Sequence, residues 1–186
     1  MAAKALTKRR LWTYDELIAE MPETNQPSEL WEGELIVAPA PTPLHQRIVF
    51  RLARLLEHFV SEHQLGEIMI APLDVVLSPR RVVQPDIIYI SNAKHHIIQD
   101  CIRGVPDLIV EVVSPGTWRR DHVDKKTLYE QFGVLEYWIV DPEARMIEVF
   151  VLEEKSFRLL DRSGPGEPAR SQLLRGLTVA VEEVLG

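Results

Sequence analysis

The clearest periodicity in the chain begins at Thr42-Pro43. Leu44, Ile48, Val49, Leu52, Leu55, Leu56, Phe59 and Val60 recur at helical spacing, while Arg47, Arg51, Arg54 and Glu57 take the other face. Thr42 is a good N-cap and Pro43 suits the first helical position, so a helix of about five turns is predicted, closed by Gly66. Upstream, Thr13-Tyr14-Asp15-Glu16 forms a capping box, and Trp12 with Leu17 fits a hydrophobic staple. That predicts a short helix from Tyr14 to Glu20. Glu29 to Val37 reads as two strands turned at Glu32-Gly33.

Downstream the period shortens. Strands are predicted over Glu67–Ala71, Leu73–Ser78 and Val82–Ile90, the last interrupted by Pro85. Ser91 should cap a short helix reaching Asp100. Leu108 to Val113 is an apolar run, Asp121 to Phe132 a helix capped by Asp121 and stopped by Gly133, and Glu136 to Val140 a strand ending at Asp141-Pro142. Met146–Leu152 and Ser156–Leu160 should pair as a hairpin. The tail from Leu173 to Leu185 closes the fold, partly as strand. Helices interleaved with strands in this order predict an α/β fold with a mixed sheet flanked by helices.

At 186 residues the chain is expected to form one domain, with about twelve flexible residues at its start. Hydrophobic residues make up 46% and charged residues 26%, which excludes a disordered or collagen-like chain. No stretch is long and apolar enough for a membrane helix, and no apolar segment follows Lys4, Lys8, Arg9 and Arg10 to make a secretory signal. The one cysteine, Cys101, points to a reducing, cytoplasmic setting. A net charge of −7 argues against coating nucleic acid through overall charge, though local basic clusters remain at Lys8-Arg9-Arg10, Arg80-Arg81 and Arg119-Arg120 with Lys125-Lys126.

Charge matters most where it interrupts apolar runs. Glu111 lies inside Leu108-Ile-Val-Glu111-Val-Val113, the pattern of a central strand buried on both faces. An ionised carboxylate there needs a partner. Asp86 resembles it, standing at the mouth of Ile87-Ile-Tyr-Ile90. If the two strands are neighbours, the two acids lie side by side, about 5 Å apart at Cβ. Such carboxylates repel unless a cation intervenes, and Mg²⁺ uses one or two carboxylates while keeping waters. Asp107 is a poorer partner, because four residues along a strand span about 13 Å.

Lys125 shares a helix face with Asp121 and Tyr129. It either reaches the acids, to orient water and stabilise a phosphate, or is a solvated partner of Asp121. Glu34 is a further metal ligand or an ordinary strand residue. His45, in the first turn of the long helix, suits a capping or hydrogen-bonding role better than catalysis. Walker and GxGxxG loops and a Ser-centred elbow are absent. His95-His96 lacks companions at zinc spacing.

An Asp on one strand, a Glu on the next and a nearby Lys resemble the PD-(D/E)xK nuclease superfamily, with its restriction-endonuclease-like fold. The chain more closely resembles the bacterial Uma2 family of endonuclease-like proteins, through Glu29-Leu-Trp-Glu-Gly-Glu34-Leu, Pro43-Leu-His45, Val83-Gln-Pro-Asp86-Ile, Pro106-Asp-Leu-Ile-Val-Glu111-Val-Val-Ser-Pro115, Arg120-Asp121 with Lys125 and Tyr129, and Gly133-Val-Leu-Glu-Tyr-Trp-Ile-Val-Asp-Pro142. The resemblance implies a central sheet with helices on both sides and hydrolysis of nucleic-acid phosphodiesters, DNA above all, with Mg²⁺ or Mn²⁺. It implies Asp86, Glu111 and the Val112 carbonyl as metal ligands, with Lys125 catalytic. The superfamily's lysine follows the Glu by two residues, where this chain has Val113; the family resemblance moves it to Lys125. Arg119, Arg120 and Lys126 would contact the nucleic-acid backbone, and a homodimer would serve two strands. The competing expectation is a catalytically silent binding or assembly module, in which the acids and Lys125 form a buried ion network.

Overall fold

The computed structural model describes residues 10–20, 27–114 and 120–186, with the side chains of residues 120 and 121 left outside that description. Helix α1 (Tyr14–Glu20) opens the chain, followed by the hairpin of β1 (Ser28–Trp31) and β2 (Glu34–Val37). Helix α2 (Pro43–Glu62) leads to β3 (Gly66–Ile70), β4 (Val75–Ser78), β5 (Arg81–Val83) and β6 (Ile87–Ser91). A 3₁₀ turn over Asn92–Ile97 precedes β7 (Ile102–Arg103) and β8 (Leu108–Val112). A π-helical turn over Arg120–Lys125 runs into α3 (Lys126–Phe132). Then come β9 (Glu136–Asp141), β10 (Met146–Glu153), β11 (Ser156–Ser163), β12 (Pro168–Arg170), β13 (Thr178–Ala180) and α4 (Val181–Leu185).

The strands form a six-stranded sheet ordered β11-β10-β9-β8-β6-β3 and a five-stranded sheet ordered β2-β1-β5-β4-β7, beside the small β12-β13 pair. The six-stranded sheet is mixed: β8 and β9 are parallel and its other pairs antiparallel. One of its faces packs under α2, α4 and the β12-β13 pair, through Leu52, Val110, Trp138 and Val184. Its other face meets α3 and the five-stranded sheet, through Ile109, Tyr129, Ile139, Val75 and Val83. Helix α1 covers the far side of the five-stranded sheet, Tyr14 packing with Leu30 and Val82. The α/β class with mixed sheets flanked by helices is as the sequence predicts. The division into two sheets was not predicted. It occurs at Pro85, which cannot donate to a ladder; the run from Val82 to Ile90 breaks there and its halves join different sheets.

Local chemistry explains most boundaries. Thr13 and Glu16 close the capping box reciprocally, at 2.8 and 3.4 Å. Thr42 caps α2 by accepting the His45 backbone N–H at 3.2 Å. The helix stops at Glu62, earlier than Gly66, with Gln64 in the left-handed region. Gly66 instead opens β3, where a Cβ would lie 2.1 Å from the Ile90 carbonyl oxygen. Leu44, at the start of the apolar stripe of α2, is exposed. Ser91 makes no side-chain cap to the 3₁₀ turn, which ends at Ile97, short of Asp100; its backbone N–H is held by Asp107. The helix expected from Asp121 begins as a π turn and becomes α-helical only at Lys126, ending at Gly133 with φ 82°. Among the described residues no helix is long and apolar enough to cross a membrane.

Candidate functional site

Strand β8 is buried along its whole length, as its apolar sequence requires, and Glu111 is 4% exposed. Leu108, Val110 and Val112 face α2, so Glu111 faces α3 and the five-stranded sheet with Ile109. There its Oε1 accepts hydrogen bonds from Lys125 Nζ at 2.7 Å and the Tyr129 hydroxyl at 2.6 Å. Lys125 closes the π turn and Tyr129 stands one turn later on α3, so both reach the same oxygen. Lys125 is itself 5% exposed; the solvated alternative for it is excluded by its burial.

Lys125 also meets an acid that sequence reasoning passed over. Its Nζ lies 3.3 Å from Glu29 Oε1, on β1 of the five-stranded sheet. Glu29 is buried and oriented by its neighbours: Trp31 Nε1 donates to Oε2 at 2.9 Å and the Gln84 backbone N–H to Oε1 at 3.3 Å. In sequence Glu29 is one polar residue of a short hairpin strand, and nothing local marks it for burial. Its place in the stretch that carries the family resemblance was the available signal.

Asp86 sits just before β6. The β6-β8 ladder sets Ile87 opposite Val110, so Asp86 follows at the level of Glu111. Its Oδ2 accepts the Val112 backbone N–H at 2.7 Å, at the residue next to Glu111. His45 Nε2 lies 3.1 Å from the same oxygen, reaching over from the first turn of α2. The expected hydrogen-bonding role of His45 therefore takes a definite form, on Asp86.

The other predicted residues are more dispersed. Glu34 stands on β2, half-exposed and opposite Trp31, on the face that carries Glu29. Lys126 does not project into solvent: its ammonium lies 3.7 Å from the Phe150 ring centroid, and burial lowers its pKa. Arg119 and the side chain of Arg120 lie outside the described residues.

Other buried acids are held by the scaffold. Asp107, expected at a strand entry, accepts the Ser91 N–H and pairs with Lys94. Glu148, two strands from Glu111, pairs with Arg162 and lies 3.4 Å from His122. Glu136 is fully buried and accepts from Trp138 Nε1, the Ser171 hydroxyl and the backbone N–H groups of Gln172 and Leu173.

Among the described residues no three His, Cys, Asp or Glu side chains form a metal-holding group. A donor set drawn from the Asp86 and Glu111 side chains would be two carboxylates. It suits a hard cation that keeps much of its water and does not suit zinc. Among the described residues, Glu29, Asp86 and Glu111 bring three carboxyl groups to the region, met by the Lys125 ammonium and the His45 imidazole.

Two comparisons bear on this arrangement. The Uma2 family profile, described as "Putative restriction endonuclease", matches residues 14–182. The fold matches the crystal structure of a "putative nuclease belonging to DUF820" from Anabaena variabilis, with TM-score 0.76 at 19% identity over 93% of this chain and 97% of that one. No curated protein matches the chain.

Proposed function

The chain belongs to the Uma2 family, and on that premise we propose that it is a divalent-metal-dependent nuclease acting on DNA, with Asp86, Glu111 and Lys125 at its centre. Family and fold point to a nuclease of the restriction-endonuclease type; the metal, the substrate and the residues are our reading. The observation that carries it is the meeting of Asp86 with the backbone of β8 beside Glu111, where Lys125 also arrives.

Asp86, Glu111 and the Val112 carbonyl would hold Mg²⁺ or Mn²⁺, with Glu34 a more distant candidate. When bound, such an ion supplies Lewis-acid polarisation of a phosphoryl oxygen and a more acidic water. Tyr129 fixes the rotamer of Glu111, and His45 with the Val112 N–H fixes Asp86. Lys125 would then hold the attacking water or a phosphate oxygen, and its burial strengthens that interaction. Arg119 and Arg120 would contact the backbone of the strand, as would Lys126 after leaving Phe150. A homodimer would present two such sites to a duplex.

The test is cleavage of plasmid and single-stranded DNA, and of RNA, with Mg²⁺ or Mn²⁺. Asp86→Ala and Glu111→Ala should each reduce cleavage to the level of buffer while the circular dichroism spectrum stays native. Cleavage that survives unchanged in either folded variant refutes the assignment. A second reading draws on the saturation of Lys125 between two buried carboxylates: a silent module in which this network is structural. It predicts no cleavage and no metal binding by the wild-type protein.

A further inference from the structure

Lys125 is held by two carboxylates at once, 2.7 Å from Glu111 Oε1 and 3.3 Å from Glu29 Oε1, and the two acids come from different sheets. We infer that Glu29 is a positioning residue: it is the second seat of the Lys125 ammonium, which it draws off Glu111 when a divalent cation engages that carboxylate. The inference rests on the nuclease reading above and assigns Glu29 a part in it.

In the metal-free protein the ammonium neutralises Glu111, the acid proposed to bind the cation. A doubly charged ion and an ammonium on the same carboxylate repel each other strongly in a buried setting. Expelling Lys125 to solvent would strip a buried charge of its partner, which is costly. Glu29 removes that conflict, because it already touches the ammonium and only the balance of the two contacts needs to change. The seat is prepared: Trp31 Nε1 and the Gln84 N–H hold the Glu29 carboxylate in place, and the residue is 5% exposed. An ammonium retained beside the site, bound to Glu29, stays available to a phosphate.

The test is calorimetric titration of the full chain with Mn²⁺ in a double-mutant cycle. Glu29→Gln keeps the shape of the seat and removes its charge; it should weaken Mn²⁺ binding by about tenfold. Lys125→Met removes the competing ammonium and should tighten binding. In the Lys125→Met background, Glu29→Gln should change affinity by less than about twofold. A role for Glu29 as mere background negative charge predicts the same loss in both backgrounds, and that result overturns the inference. So does an unchanged affinity in Glu29→Gln alone.

A crystal structure of the wild-type chain with Mn²⁺ decides independently of how the variants fold. Lys125 Nζ should lie nearer Glu29 Oε1 than Glu111 Oε1; an ammonium still on Glu111 refutes the proposal. Wild-type protein that takes up no Mn²⁺ refutes the nuclease reading and this inference together, whereas metal binding indifferent to Glu29 refutes this inference alone.

Discussion

Replacing Lys125 by Met exposes the energetics of the site most sharply. The methionine side chain fills the space of the lysine stem and removes only the ammonium. Glu111 and Glu29, 4% and 5% exposed, then share a buried region without their common cation. Removing one partner of a buried ion pair costs about 3–5 kcal/mol. For a chain of this length each kcal/mol moves Tm by about 2–4 °C, so Lys125→Met should melt about 6–20 °C below wild type. The assay is thermal unfolding followed by circular dichroism, with and without Mg²⁺. If the acids bind the ion, Mg²⁺ at about a hundred times its Kd returns about 2.7 kcal/mol. Lys155→Met, at an exposed position, controls for loss of charge and should shift Tm by less than about 2 °C. A Lys125→Met protein that melts within 2 °C of wild type without Mg²⁺ would refute the claim that the ammonium compensates these carboxylates.

Glu136→Ala should destabilise the protein by about 3 kcal/mol or more, since four donors lose a buried charged acceptor, and denaturation in urea measures it. Its Mn²⁺ affinity should match wild type, because Glu136 belongs to the scaffold of residues 171–173. Alkaline pH should weaken the fold: burial pushes the Cys101 thiol above its ordinary 9.0, and burial likewise raises Tyr14 and Tyr89. Groups raised in the native state stabilise it fully below their unfolded pKa and less as pH rises through the native one, so stability should fall from about pH 9 upward. Cys101→Ala should flatten the first part of that decline in urea titrations between pH 8 and 10. Lys126, lowered by burial, has the opposite sign but is common to both proteins and cancels.

Local periodicity made much of the fold legible. The α2 stripe, the Glu32-Gly33 and β10-β11 hairpins and the buried β8 all follow from patterns within a few residues. The assignment of β5 and β6 to separate sheets did not, because Pro85 marks an interruption without saying where each half pairs. The burial of Glu111 was legible to a similar depth. Glu111 announced itself by interrupting an apolar run, yet Glu148 interrupts Met146–Leu152 in the same way and is satisfied by Arg162. The pattern therefore reports burial, and the partner decides the role. Glu29 and His45 touch residues 96 and 41 positions away, Lys125 and Asp86, and no short-range pattern encodes such contacts.

Calorimetric titration of Mn²⁺ into wild type, Asp86→Asn and Glu111→Gln tests the central claim most directly. One ion should bind per wild-type chain, and each substitution should weaken it by at least about tenfold while the protein stays folded. Absence of binding to wild type, or equal binding by all three proteins, would contradict the proposal that these two carboxylates share a cation.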